Sequence, residues 1–124
     1  MKKFEGGDFL SIDGLLTEEE KLVRQTVREF VDEQLLPVVR DAWEKGEFPK
    51  VLIPKIAELG LLGANIQGYN CAGMSNVAYG LATQELERGD SGVRSFVSVQ
   101  SALVMYPILT FGSEAQKEKY LPKL

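Results

Sequence analysis

The sequence predicts an all-α fold, an up-and-down bundle of five or six helices, and three observations carry that reading. Apolar residues recur at three- and four-residue steps through most of the chain, capping boxes open helices at Thr17 and Ser113, and no segment reads as a credible strand. Gly46, Gly60 and Gly89, with Pro37, Pro49 and Pro122, supply the punctuation between helices. At 124 residues the chain fits one domain that buries roughly two thirds of its unfolded surface.

Residues 1–15 mix glycine, aspartate and scattered apolar residues without period and are read as an N-terminal arm, with Leu10, Ile12, Leu15 and Leu16 available to pin it. The bundle occupies residues 16–124. In Thr17-Glu18-Glu19-Glu20 the threonine oxygen can take a first-turn N–H while Glu20 reaches back to the cap, and the run of acids suits the helix dipole. The helix that follows is expected to bury Leu22, Val23, Val27, Phe30, Val31 and Leu35 and to turn Lys21, Arg24, Arg28, Glu29 and Asp32 outward, until Pro37 forces a kink or restart.

A short helix over residues 37–45 has an apolar side of Val38, Val39, Ala42 and Trp43, and Gly46 is placed to end it in a left-handed cap. Trp43 is read as a core or interface residue rather than a cofactor stacker. Residues 50–59 give another short helix stopped by Gly60, and residues 61–73, with Gly63, Gly68 and Gly73, give an ordered loop. Residues 76–88 form a helix on Val77, Ala78, Leu81, Ala82 and Leu86, interrupted by Gly89-Asp90-Ser91-Gly92, where the next begins. Ser113-Glu114-Ala115-Gln116 opens the last helix, which Pro122 ends or bends, and the stop at Lys123-Leu124 is read as a cut at a domain boundary.

Composition narrows the chemistry. A net charge of -4 and the lack of a basic stripe argue against a nucleic-acid or anionic-membrane surface. No apolar run is read as approaching the roughly 20 residues of a membrane span, and MKKFEGGDFLSIDG lacks the apolar core of a signal peptide, so a cytoplasmic protein is expected. The lone Cys71 cannot close an internal disulfide. With no histidine in the chain, Ser-His-Asp and Cys-His mechanisms and the commonest metal ligand are all excluded, and carboxylates, arginine, hydroxyls or a borrowed cofactor remain. No glycine-rich phosphate motif and no calcium-loop spacing occurs.

The chemistry that remains concentrates between Gly80 and Phe111. Glu87 and Arg94 stand on either side of the corner at Gly89-Asp90, and Val93, Phe96, Val97, Leu103 and Val104 supply apolar contacts beyond it. Ser91, Ser95, Ser98, Ala102 and Met105 lay a stripe of mostly small side chains along one helical face. Such a stripe admits either a neighbouring helix or a ligand. Arg94 favours the ligand, because it lies one turn before Ser98, and a guanidinium with a hydroxyl can hold a carboxylate by charge-assisted hydrogen bonds.

Three segments carry a resemblance to the N-terminal helical domain of the acyl-CoA dehydrogenases. LTEEEKLVRQTVREFVDEQLLPVV resembles the opening helix of that family, AELGLLGANIQGYNCAGMSNVAYGL its ELG-LG and GY-CAG segment, and QELERGDSGVRSFVSVQSALVMYPILTFGSEAQKEKYLPKL the run before its flavin domain. The ending GSEAQKEKYLPKL is shared across the superfamily, whereas ELERGDSG followed by VRSFVSVQS points to the glutaryl branch.

The resemblance implies a three-domain FAD enzyme that takes an α-proton from an acyl-CoA, passes a β-hydride to the flavin and hands electrons to an electron-transfer flavoprotein. It also implies a homo-oligomer, a tetramer in the family, and in the glutaryl branch a decarboxylation that yields crotonyl-CoA. Arg94, with Ser95 and Ser98 nearby, would meet the far carboxylate of the glutaryl chain, and Glu87 would set the position of Arg94. The family's catalytic base and nearly all of its FAD contacts belong to the middle and C-terminal domains, so no catalytic residue is assigned here and no turnover is expected of this chain alone. Glu87, as the partner of Arg94, is poorly suited to take a carbon-bound proton. A self-standing helical interaction module with the same fold and no catalysis is the alternative.

Overall fold

A computed structural model describes residues 8–124, which are all-helical with no strand among them. Thr17 opens the first rod with both halves of the expected capping box: its hydroxyl accepts from the Glu20 N–H at 3.2 Å, and its own N–H donates to Glu20 at 2.9 Å. Helix α1 (Glu18–Phe30) passes through a π-helical segment (Val31–Leu35) into α2 (Leu36–Lys45), and Gly46 caps that rod at φ 65°. Helix α3 (Ile53–Glu58) follows a 3-10 turn at Lys50–Leu52. Helix α4 (Asn76–Gly89) meets the next rod at a corner; that rod comprises α5 (Ser91–Ser98), a second π segment (Val99–Met105) and α6 (Tyr106–Phe111). Helix α7 (Glu114–Tyr120) begins in the predicted second capping box, and after it the chain tightens into a 3-10 turn at Leu121–Lys123.

Pro37 does not break the first rod. A proline ring collides with the carbonyl four residues back, and the wider π turn immediately upstream relieves that collision. The N–H of Leu36 reaches the Val31 carbonyl, five residues back. Pro107 sits in the same relation to the second π segment, where the N–H of Tyr106 reaches the Ser101 carbonyl. The slower winding also brings Val93, Val97, Ser101 and Met105, spaced by four, onto one buried face. Met105 therefore leaves the predicted stripe of small residues and is buried, while Ala102 stays exposed.

The main core joins Val27, Phe30, Val31 and Leu35 of the first rod to Ala82 and Leu86 of α4, Val93 and Val97 of α5, and Leu52, Ile56 and Leu61. A smaller cluster of Ile66, Met105 and Leu121 holds the loop and the C-terminal turn. Between them Ser101 accepts the Gly63 N–H at 2.9 Å, so a buried hydroxyl fixes the loop to the rod. Several apolar residues expected inside lie outside, Leu22 (65% exposed) and Leu103 (70%), with Val77 also exposed; Trp43, read as core or interface, is 80% exposed and so lies outside the core. Leu10, Ile12 and Leu15 are exposed too, and the arm is held instead by the two-pronged ion pair of Arg24 with Asp13, at 2.6 and 3.0 Å. Its first seven residues lie outside the described ones.

Helices α1 and α4 run parallel, since Glu20 bonds Ser75 near their starts and Asp32 pairs with Arg88 near their ends. Between these contacts, the carboxylate of Glu85 is only 3% exposed. Arg28 forks onto it at 2.6 and 3.1 Å, and Arg88 donates to it at 2.9 Å. Arg28 and Asp32, expected to face outward, thus face α4. Burial pushes the Glu85 carboxyl up, but the hydrogen bonds from Arg28 and Arg88 outweigh it, so the group titrates below the ordinary carboxylate range.

Arg28→Ala leaves a buried carboxylate with half its partners, and urea unfolding should show a loss of about 1–3 kcal/mol. Because the folded-state pKa of Glu85 is depressed, its contribution is present above the unfolded value of 4.5 and is lost as pH falls through the folded value. In Glu85→Gln, a pH series of thermal unfolding should show a shallower fall of Tm below about pH 4.5 than in the parent.

Candidate functional site

The corner between α4 and α5 is one residue long. Asp90 alone is extended, at φ -163° and ψ 125°, and its side chain accepts the Val93 N–H at 2.8 Å, so it closes one helix and caps the next. This tight reversal brings Glu87 and Arg94 together as the sequence predicts. The Nε of Arg94 donates to Glu87 Oε2 at 2.5 Å, and its Nη1 donates to Ser98 Oγ at 3.0 Å. Ser98 in turn donates to the Arg94 carbonyl at 2.9 Å, one helical turn back.

The guanidinium is thus held from two sides, and the Arg94 side chain remains 35% exposed. Its Nη2 makes no hydrogen bond among the described residues, and neither does the hydroxyl of Ser95, which is half-buried on the adjacent position. An uncommitted nitrogen on a braced guanidinium suits a carboxylate, and a planar fork is the arrangement in which arginine binds one best. Both carboxylates at the corner are engaged, Glu87 by Arg94 and Asp90 by the Val93 N–H, and the chain contains no histidine. Among the described residues, no group of three or more His, Cys, Asp or Glu could hold a metal. Burial pushes the Cys71 thiol up, away from the reactive thiolate.

Grooves lie elsewhere on the surface. One of about 390 Å3 borders the other side of the corner, between Trp43, Phe48 and Asp90-Ser91-Gly92, and one of about 410 Å3 lies between α6 and α7, lined by Pro107, Ile108, Phe111, Gly112, Gln116 and Tyr120. The rod Ser91–Phe111 is 21 residues long and holds an 18-residue window with a mean hydropathy of 1.2. It is long and apolar enough to cross a membrane by length and composition, contrary to the sequence reading that no apolar run approaches a membrane span. Here one face packs on α4 through Val93 and Val97, while Val99, Leu103, Tyr106 and Phe111 stay exposed on others.

The profile of the acyl-CoA dehydrogenase N-terminal domain matches residues 17–124. The chain belongs to that family. Among solved structures, a glutaryl-CoA dehydrogenase from Mycobacterium smegmatis is 51% identical, superposes with a TM-score of 0.87, and is matched over 93% of this chain and 30% of its own. A second structure of a glutaryl-CoA dehydrogenase from that organism, in complex with FADH2, is 48% identical with a TM-score of 0.89 and the same coverage. The mitochondrial short-chain specific acyl-CoA dehydrogenase of Bos taurus is 33% identical over 107 residues, which are 86% of this chain and 26% of that protein. The chain therefore spans under a third of the length of these relatives.

Sequence reasoning missed Glu85, Arg28 and Ser101. A signal for Glu85 was present: it follows Ala78 and Ala82 at the next step of the buried stripe, so a charge occupies a core position and demands a partner on the facing helix.

The uncovered apolar positions on the α5–α6 rod predict association of the isolated chain. Sedimentation velocity should show a concentration-dependent shift to larger species, and Leu103→Lys should reduce it; a strictly monomeric protein at high concentration would contradict this.

Proposed function

We propose that this chain is the N-terminal helical domain of an FAD-dependent acyl-CoA dehydrogenase of the glutaryl branch, and that it supplies the recognition of the substrate's far carboxylate. One observation carries the reading: Arg94 is braced by Glu87 and Ser98 yet keeps a nitrogen, Nη2, that makes no hydrogen bond among the described residues. The similarity to glutaryl-CoA dehydrogenases at about half of all positions supports it. Electron-transfer flavoprotein as acceptor, decarboxylation to crotonyl-CoA, a homo-oligomeric state and residence in the cytoplasm belong to the same proposal.

The division of labour follows from what these residues can do. Arg94 binds the terminal carboxylate through Nη2, and Ser95 adds a hydroxyl donor. Glu87 keeps the guanidinium from turning away from the rod, and Ser98 locks it from the other side. Neither Glu87 nor Ser98 need touch the substrate. A bound flavin would supply the hydride acceptor. The residues present do not fit it by themselves: the α6–α7 groove offers no cation for a pyrophosphate, and the groove of about 700 Å3 along α2 offsets Lys45 and Lys50 with Asp41 and Glu47. The flavin and the general base are therefore assigned to segments beyond this chain, and the isolated chain is assigned no turnover.

The purified chain should be colourless, and a stoichiometric flavin absorbance would place more of the cofactor site here than we assign. In the enzyme that carries this domain, Arg94→Gln should lower kcat/KM for glutaryl-CoA by about ten- to a hundredfold, one charge-assisted contact at tenfold per 1.36 kcal/mol, and lower that for butyryl-CoA much less. Equal losses on both substrates would return Arg94 to a bracing role at the corner.

A further inference from the structure

Arg94 sits just past the corner between α4 and α5, which Asp90 caps. Only Asp90 separates α4 from α5, so the direction in which Arg94 leaves the rod depends on where the last turn of α4 is seated. Two features seat it. Gly89 presses directly on the π segment of the first rod: a Cβ built there would stand 2.7 Å from Val31 Cγ1 and 2.7 Å from Leu35 Cδ2, and both of those residues are fully buried. One turn earlier, Glu85 is gripped by Arg28 from α1 and by Arg88 from its own helix, and Arg88 also reaches Asp32. The close approach at Gly89 fixes the distance between the two helices, and the fork of Arg28 on Glu85 fixes their relative slide, because two parallel bonds to one carboxylate tolerate little displacement along the axis.

We infer that Glu85 and Gly89 are positioning residues for carboxylate selection: they hold the end of α4 against the π segment so that Glu87 and Arg94 meet, and through Arg94 they set the preference for an acyl-CoA with a terminal carboxylate. The inference rests on the proposed role of Arg94. Glu85 has no route to the substrate, since its carboxylate is buried between α1 and α4 and fully engaged. Its effect passes through the corner, whose residues Glu87 and Gly89 lie two and four positions further on the same helix. A neutral acyl chain makes no contact that depends on the guanidinium, so loosening this seat penalises the dicarboxylate selectively. Displacements well under a helical turn suffice, because an error of about 1 Å in a positioned group can cost on the order of a hundredfold.

The test measures kcat and KM for glutaryl-CoA and butyryl-CoA in the flavoenzyme that carries this domain, for the parent, Glu85→Gln, Gly89→Ala and Arg94→Gln. Glu85→Gln keeps the shape and removes the charge that Arg28 grips, while Gly89→Ala lifts the corner without touching any charge. The expected result is a fall of about tenfold in the ratio of kcat/KM for glutaryl-CoA to that for butyryl-CoA in both, carried mainly by KM for glutaryl-CoA. If Arg94→Gln lowers that ratio while Glu85→Gln and Gly89→Ala lower both substrates alike, the two residues are structural only and the inference is overturned, with the role of Arg94 intact. If Arg94→Gln itself leaves the ratio unchanged, the carboxylate reading fails and takes the inference with it. Should Glu85→Gln not fold, Gly89→Ala decides the matter by the same ratio.

Discussion

The buried carboxylate of Glu85 is the constraint around which the α1–α4 pair is built. Taking an ionised carboxylate out of water is costly, and a group left there alone would protonate or unfold its surroundings. Arg28 and Arg88 remove that cost with three charge-assisted hydrogen bonds, and both arginines keep part of their own surface in water. The arrangement stabilises less by its own energy than by what it forbids. Apolar stripes such as Val27, Val31 and Ala82, Leu86 would tolerate sliding by a turn with little change in buried area, whereas the fork of Arg28 on Glu85 matches at one register only. A polar contact at the centre of an apolar interface thus selects one alignment of two parallel helices.

The two π segments solve a different problem with one device. Each long rod carries a proline in its interior, at Pro37 and Pro107, and each answers it with a wide turn ending just before the ring. The wide turn lets the rod continue where a plain α-helix would kink, and it moves the side chains beyond it to a new face. In the first rod the widened segment carries Val31 and Leu35, the two side chains on which Gly89 rests. In the second it begins immediately after Ser98, so the polar cluster of Arg94 and Ser98 lies on regular α-helix and the apolar surface beyond follows the altered winding. Proline, π turn and corner are therefore linked through contact.

The site follows from these constraints. Arg94 is held: Glu87 across the corner and Ser98 a turn later leave it a narrow range of directions, with Nη2 unbonded among the described residues. A surface arginine with full freedom would lose more entropy on gripping a carboxylate than a braced one does. None of the grooves beside the corner, along α2 or between α6 and α7 is lined by Arg94, Ser95 or Ser98.

The sequence by itself determined the helical class, both capping boxes, the glycine stop at Gly46 and the corner at Gly89-Asp90 with Glu87 and Arg94 on either side of it, while their pairing was implied by the family resemblance. These are local effects: a cap, a left-handed residue or a contact across a one-residue turn involves groups already close along the chain, so few alternatives compete. The tertiary structure decided the rest. Whether Pro37 breaks a helix or is absorbed by a π turn depends on the packing of Val31 and Leu35, and whether Leu22 and Leu103 are buried depends on which faces find a neighbour. That Glu85 is a buried hub depends on Arg28, 57 positions earlier, arriving at the same height on a parallel helix. Periodicity gives the face of a helix but not the element opposite it. The partner of a buried charge is fixed only when two distant segments are brought side by side.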